Sequence, residues 1–495
     1  MYKPDDKSPE FEAFSKPFRG QLNPRNRWVV IAELVPWEEI EDQYAKGFNF
    51  YKGRRAKSVR FALGALIIKE KLKLTDEETE AQIQENVYMQ YLLGQKEFTR
   101  KRLFESSMMV HFRKRLGHVI PVLSEKLAVA YSKYLEELKK VEEEEAKKQK
   151  KDDDPKGPSG GNRGKLVIDA TAVPQDIRHP NDLGLLDDTR KKTEELIDFL
   201  YLELPDWAKP RTYRRKARQA YMRFVKQKKK TADLVRAARG KQLRYLKRNI
   251  RYVKQMLSLF ERDPLTQDWK RDWELIQKIY DQQLELHKKK SLSLSGKILS
   301  FHQPHVRAIA RGKAKGNFEF GSKMSLGVNE HGMVFIDRLE WEPYNECEDL
   351  KNQCETYKVR FGRYPESVHA DKIYWTRENR QYCKEKDIRL SAVSLGRPLE
   401  PTEENQPMIR KLRKQLRADN AYRQRVEGKF GIGKRKYAWD CVKEKLAETS
   451  ITKIHLVGLV MNIDKILRDL IFVLMEMTLS IGSGLRRRRE FILAT

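Results

Sequence analysis

The sequence predicts a mixed α/β domain interrupted by a long helical insertion and preceded by an all-α segment. Three observations carry that prediction. Apolar residues recur at helical spacing before residue 138. A short apolar strand, Lys165-Leu-Val-Ile-Asp-Ala, follows a stretch with almost nothing to bury, and strand-like alternation returns from Asn317 after a second helical run. At 495 residues the chain is too long for one compact core and is read as two or three domains.

The first segment, residues 1–137, is expected to be helical. Phe61-Ala-Leu-Gly-Ala-Leu-Ile-Ile is an apolar helix core. Thr75 followed by Asp-Glu-Glu reads as an N-cap with acids in the first turn. That helix is predicted to run through Ile83, Val87 and Tyr91 to a stop at Gly94. A third helix is predicted over Ser106 to Leu116, with Arg113, Lys114 and Arg115 at its end. Three short helices with a basic end suit a DNA reader of helix-turn-helix type, and they suit a packing or dimerisation bundle equally. In the first case Arg113 and Arg115 are the candidate DNA contacts. Residues 138–164 carry charge runs and then Pro, Gly and Ser, the composition of a flexible charged linker that lets the flanking parts move.

The next stretch is expected to be helical from about Leu185 to Leu286 and to form a basic helical-hairpin insertion over 185–300. Between Lys209 and Lys254 there are 19 Lys/Arg and a single acid, Asp233. Leu243, Leu246, Ile250, Val253, Leu257 and Phe260 form an a/d seam. Asp263-Pro264 breaks it, and Trp269, Trp273, Ile276, Tyr280 and Leu284 make a second seam to close against the first. Charge so one-sided repels itself unless a phosphate backbone lies along it, which makes Arg244, Lys247, Arg248 and Arg251 candidate DNA contacts.

Beyond the insertion the predicted order is a hairpin of strands around the turn Asn329-Glu-His-Gly, a helix from Cys347 to Phe361, and a strand Ser367 to Asp371. A helix near Glu378 to Lys386, a strand Ile388 to Val393 and helices from Met408 onward complete it. With the insertion removed, this is the element order of a ribonuclease-H-like catalytic domain, here spanning 165–480, with a basic C-terminal tail over 481–495. Its first and fourth strands are neighbours, so Asp169 and Asp371 are expected side by side near the strand ends. Acids that close are unfavourable unless divalent cations neutralise them, and hard oxygen donors suit Mg²⁺. Two such ions, with Mn²⁺ as the substitute, can activate a nucleophile and stabilise a leaving oxygen in phosphoryl transfer. The third acid is Glu427. At about 100° per residue, Arg423, Glu427 and Lys434 fall within one arc of a helix. Gly428, Gly431 and Gly433 are expected to weaken that helix past the Glu.

Composition limits the partners. Lys+Arg total 101 against 71 Asp+Glu, a formal net charge of +30, which a folded chain accepts most readily when it binds a polyanion. The four cysteines, Cys347, Cys354, Cys383 and Cys441, make no zinc-type pair and read as reduced thiols. No signal peptide is recognisable, and the most apolar region, Ile454 to Met477, is interrupted by Asn462, Asp464, Lys465, Arg468 and Asp469. A buried helix rather than a membrane span is expected there. Reduced thiols imply a cytoplasmic location.

These residues resemble the bacterial insertion-sequence DDE transposases whose third acid sits in a Y-R-E-K signature. The resemblance runs from Glu85-Asn86, Tyr91, Gly94, Phe104, Ser107 and Phe112-Arg-Lys-Arg115, through Asp169-Ala-Thr, Pro180-Asn-Asp-Leu and Arg311-Gly-Lys. It continues through Glu319-Phe-Gly-Ser-Lys323, Ala370-Asp-Lys-Ile-Tyr374, Asn379-Arg380 and Gly396-Arg-Pro398 to the Glu427 segment. It implies that Asp169, Asp371 and Glu427 are both catalytic residues and metal ligands, with Arg423 and Lys434 serving the DNA. The signature's Tyr position falls on Asn420, with Tyr422 displaced by two. The implied activity is metal-dependent cleavage and strand transfer of double-stranded DNA at the element's terminal inverted repeats and its target. A homodimer or higher assembly would act on DNA, with no membrane involved. A bacterial, nucleoid-associated location is implied only by this resemblance. A catalytically inactive DNA-binding descendant, or an RNA-binding protein, would not need all three acids.

Overall fold

The computed structural model describes residues 22–48, 55–149, 161–204, 207–289, 294–310, 318–391, 402 and 405–479. Residues 150–160 of the predicted linker, Arg311-Gly-Lys, Gly396-Arg-Pro398 and the tail 481–495 lie outside them. The chain forms two compact units: 1–174 with 323–340 and 344–495, and 175–322 with 341–343.

The first unit begins with seven helices: α1 (Arg27–Leu34), α2 (Trp37–Ala45), α3 (Val59–Leu72), α4 (Asp76–Glu85), α5 (Val87–Leu92), α6 (Met108–Leu116) and α7 (Val119–Gln149). Thr75 and Glu78 form a complete capping box on α4, as the sequence signals. The helix expected to continue to Gly94 instead breaks at Asn86. Its backbone is extended, and its side chain accepts from Tyr88 N and Met89 N, so it ends α4 and caps α5 at once. The expected linker is helical at its start, since α7 runs through Gln149. It is anchored at its end, where Asn162 donates to the carbonyls of Lys386 and Asp387.

The second unit carries α8 (Asp182–Leu202), α9 (Arg214–Val225), α10 (Ala232–Leu257), α11 (Gln267–Lys289) and the strand β2 (Arg307–Ala310). It begins at Gln175, ten residues before the expected insertion. The a/d seam of α10 is buried at Leu243, Leu246, Ile250 and Val253 as predicted, but it does not simply close on the following helix. α8 is the central member: its Leu185 and Leu186 share a core with α10 and α11, and its Leu196, Ile197 and Leu200 share another with Val253 and Met256. The expected hairpin is therefore a bundle. Periodicity marked both seams but could not name the third partner.

The chain then returns through β3 (Phe318–Asn329), whose first residues pair with β2 and whose remainder pairs with β4 (Val334–Glu340). α12 (Asp349–Phe361), β5 (Ser367–His369), α13 (Arg377–Glu385), β6 (Arg389–Ser391), α14 (Gln406–Tyr437) and α15 (Ala447–Leu479) follow. In the sheet of the first unit β4 pairs β3, and the order continues β3-β1-β5-β6, with β1 (Lys165–Pro174) and β6 both parallel to β5.

No helix of the described residues is long and apolar enough to cross a membrane. Along α15, Ile454, Leu456, Val457, Leu459, Val460 and Ile463 are buried in one core that also holds residues of α1 to α7 and of β1, β3 and β4. Ion pairs cross the same contact: Lys453 with Glu70, and Asp464 with both Lys71 and Lys436. The N-terminal helices thus have no separate core. The boundary expected at 137/138 is not where the packing divides, because α15 supplies the apolar face those helices need.

Candidate active site

β1 and β5 run parallel, with Val167 opposite His369. Asp169 lies two residues further along β1; the strand expected to run to Asp371 ends at His369, and Asp371 lies two residues past it. Asp169 Oδ1 accepts from Ala170 N at 2.8 Å, and Asp371 Oδ1 accepts from Lys372 N at 2.7 Å, capping the 3₁₀ turn Lys372–Tyr374.

α14 brings the third acid. Asp419 takes Arg389 of β6 bidentately, at 2.7 and 3.0 Å, and the Tyr422 ring packs on His369 at 4.8 Å between centroids. Arg425 also lies over that ring, 4.1 Å from its centroid. Those contacts hold α14 across the strand ends. Arg423 Nη1 then lies 3.3 Å from Glu427 Oε1 and 4.0 Å from Asp371 Oδ1. One guanidinium so bridges an acid just past the end of β5 and an acid of the helix. The expected weakening beyond Glu427 does not occur, and α14 is continuous to Tyr437. Gly433 has a packing reason: a Cβ there would sit 2.0 Å from the buried Trp439 ring.

Burial pushes the Asp169 carboxyl up to about 6; Glu346 and Asp371 add to the rise, while Ala170 N–H and Arg423 oppose it. Glu346 is a member the sequence reading missed. Nothing in Tyr344-Asn-Glu-Cys marks it, and it precedes α12 in a single 3₁₀ turn. Lys323 holds it at 2.9 Å and also donates to Tyr344 O. Tyr374 lies fully buried beside this group, and burial, with Glu346 and Asp169, holds its hydroxyl well above the usual range.

The donor set is carboxylate oxygen, partly desolvated and only partly compensated by Arg423, which is what a hard divalent ion fits. The side chains of Asp371 and Glu427 are 52% and 53% exposed, so the group is open to a large substrate. The three carboxylates are not a set whose ligand atoms all lie within 4.8 Å; among the described residues only Glu136, Glu330 and His331 form such a group.

Residues 368–464, which include Asp371 and Glu427, match a family model described as a transposase DDE domain, and residues 16–115 match one described as a transposase domain (DUF772). The two matches together indicate an insertion-sequence DDE transposase. No curated protein matches it, and no solved structure does. This transposase therefore has DNA as its partner class, and enzymes of its family generally use a divalent metal.

The remaining predicted contacts separate by burial. Arg113 is 4% exposed, and its guanidinium grips Asp76 at 3.0 and 2.7 Å, so it stabilises the helical core rather than facing a groove. Arg115 is half-buried over the Phe48 ring at 4.7 Å. Lys434 is half-buried on α14. On α10, Arg244, Lys247 and Arg251 are exposed. Arg248 instead stacks on Tyr213 at 4.4 Å and donates to Thr212 O. Asn420, at the signature's Tyr position, is exposed, while Tyr422 packs inward on β5.

Proposed function

We propose that this transposase binds the terminal inverted repeats of its insertion sequence, cuts DNA strands there, and joins the freed 3′-OH to target DNA. In this reading the first unit is a ribonuclease-H-like catalytic domain, and Asp169, Asp371 and Glu427 hold two Mg²⁺ ions. The observation that carries it is Arg423 spanning Asp371 and Glu427 at the ends of the paired strands β1 and β5.

Divalent ions bound there would activate the attacking oxygen and stabilise the leaving one. The protein's own residues do the rest. Asp169, anchored by Ala170 N–H, and Asp371, anchored by Lys372 N–H, keep one oxygen fixed and present the other. Arg423 is a planar fork of donors, and a phosphodiester entering the site competes for it with the two acids it now bridges. Lys323 holds Glu346 in place behind Asp169. Arg244, Lys247 and Arg251 supply exposed charge along α10 for backbone phosphates.

The test is incubation of the full chain and Mg²⁺ with duplex DNA carrying the element's own ends. Nicks ending in 3′-OH at the element boundary support the reading. Cutting with no preference for that boundary would remove the inverted-repeat part of it.

A further inference from the structure

The turn between β3 and β4 carries a second group of metal-type donors, distinct from the acids around Arg423. Glu330 and His331 lie on the turn, and Glu136 comes from α7. One ligand atom of each falls within 4.8 Å of the other two. The His331 side chain is only 5% exposed, and Glu330 Oε1 stands 3.6 Å from its Nε2, beyond hydrogen-bond reach. That Nε2 is buried with no hydrogen-bond partner. A buried ring nitrogen left unpaired among carboxylates points to a missing partner that binds both.

We propose that Glu136, Glu330 and His331 form a second divalent-cation site, one that selects a borderline first-row ion such as Zn²⁺ over Mg²⁺. An imidazole nitrogen among two carboxylate oxygens favours Zn²⁺, Co²⁺ or Ni²⁺, whereas Mg²⁺ prefers all-oxygen surroundings. Three protein ligands leave room for water in a tetrahedral shell. Arg363 already donates to Glu136, which leaves the other carboxylate oxygen for the ion. Lys139, Lys165 and Lys465 also face the group, with Asp469 opposing them.

The site would brace parts that hydrogen bonds already tie together. Asn329, at the start of the turn, donates to Ser132 of α7 at 2.7 Å. Arg425 of α14 donates to the Glu330 carbonyl at 3.2 Å. Glu427 is two residues further along that helix. An ion clamping α7 to the turn would therefore also steady the rear of the helix that bears the third acid.

The decisive experiment measures metal content rather than activity. Full-length protein carrying Asp169→Asn, Asp371→Asn and Glu427→Gln, which removes the ligands proposed for Mg²⁺, is dialysed against Zn²⁺ and its content counted. One Zn²⁺ per chain is expected, with little bound Mg²⁺ in its place. His331→Asn and, separately, Glu330→Gln in that background should each lower Zn²⁺ affinity at least tenfold. Co²⁺ should give a visible absorption band that the same variants lose. Circular dichroism in EDTA identifies a misfolded variant, and the other then decides. No tight Zn²⁺, or affinity unchanged in a folded variant, overturns the proposal.

Discussion

Val167 pairs with His369 in the parallel register of β1 and β5, two residues before Asp169 on β1 and Asp371 just past the end of β5. Asp169 is buried at that strand end, and the nearby carboxylates of Glu346 and Asp371 add to the effect of its burial. Its carboxyl, ordinarily near 3.8, is pushed up to about 6.

The first prediction follows from that shift. A raised carboxyl pKa means the folded metal-free protein holds a proton that the unfolded chain has released. That contribution to stability is fully present below pH 3.8 and is lost as pH rises through about 6. Asp169→Asn removes the charge at every pH. Each pKa unit is worth about 1.4 kcal/mol, so metal-free Asp169→Asn should be more stable than the parent at pH 7.5 by about 1–3 kcal/mol. The gain should vanish below pH 4. Urea titrations in EDTA at the two pH values check it, and equal stability at both would mean that burial and the neighbouring acids do not raise this carboxyl.

A second prediction separates two glycines of α14. Gly433→Ala puts a Cβ 2.0 Å from the Trp439 ring and should destabilise by about 1–3 kcal/mol or more. Gly428→Ala meets nothing within 4 Å and should stabilise by up to about 1 kcal/mol through helix propensity. Thermal melts of the two variants should move in opposite directions.

The basic face of α10 supplies a third. Charge reversal at Arg244, Lys247 or Arg251 should weaken binding to DNA of any sequence and reduce the log–log salt slope by about one each. Arg248→Glu should instead lower the melting temperature, because it loses the Tyr213 stack and the Thr212 bond. Unchanged slopes for the three exposed variants would make this face solubilising surface only.

A fourth concerns the shared core. Asp464→Ala strands Lys71, a cation with a 9% exposed side chain, and removes the partner of Lys436 and Tyr437. Breaking a buried pair in this way costs about 3–5 kcal/mol. Limited proteolysis should then cut the N-terminal helices and α15 together. Cutting of one alone would show that they fold independently.

The sequence made the strand-and-acid order legible because it rests on periodicity and on acids at segment ends, both local signals. The place of Asp169 and Asp371 by the ends of paired strands, and of Arg423 and Glu427 on one helix, was readable on those grounds. Glu346 was not, since its place beside Asp169 depends on how the segment between β4 and α12 crosses the site. Arg113 looked like a groove contact because a cation at a helix end carries no mark of its tertiary partner, here Asp76. Glycines in α14 read as breakers because propensity cannot see Trp439 pressing on Gly433. The role of α8 was missed for a like reason: two seams suggest a pair, and a third helix reveals itself only in packing.

In the proposed reading Asp169, Asp371 and Glu427 act as one metal-holding set while affinity for DNA comes from the cations. The direct measurement compares the parent with Asp169→Asn, Asp371→Asn and Glu427→Gln for Mg²⁺-dependent cleavage and for binding of the same end-bearing DNA at matched salt. Cleavage should fall below detection in all three, with binding changed by no more than a few-fold. Cleavage at the parental rate in any one of them would remove that residue from the site.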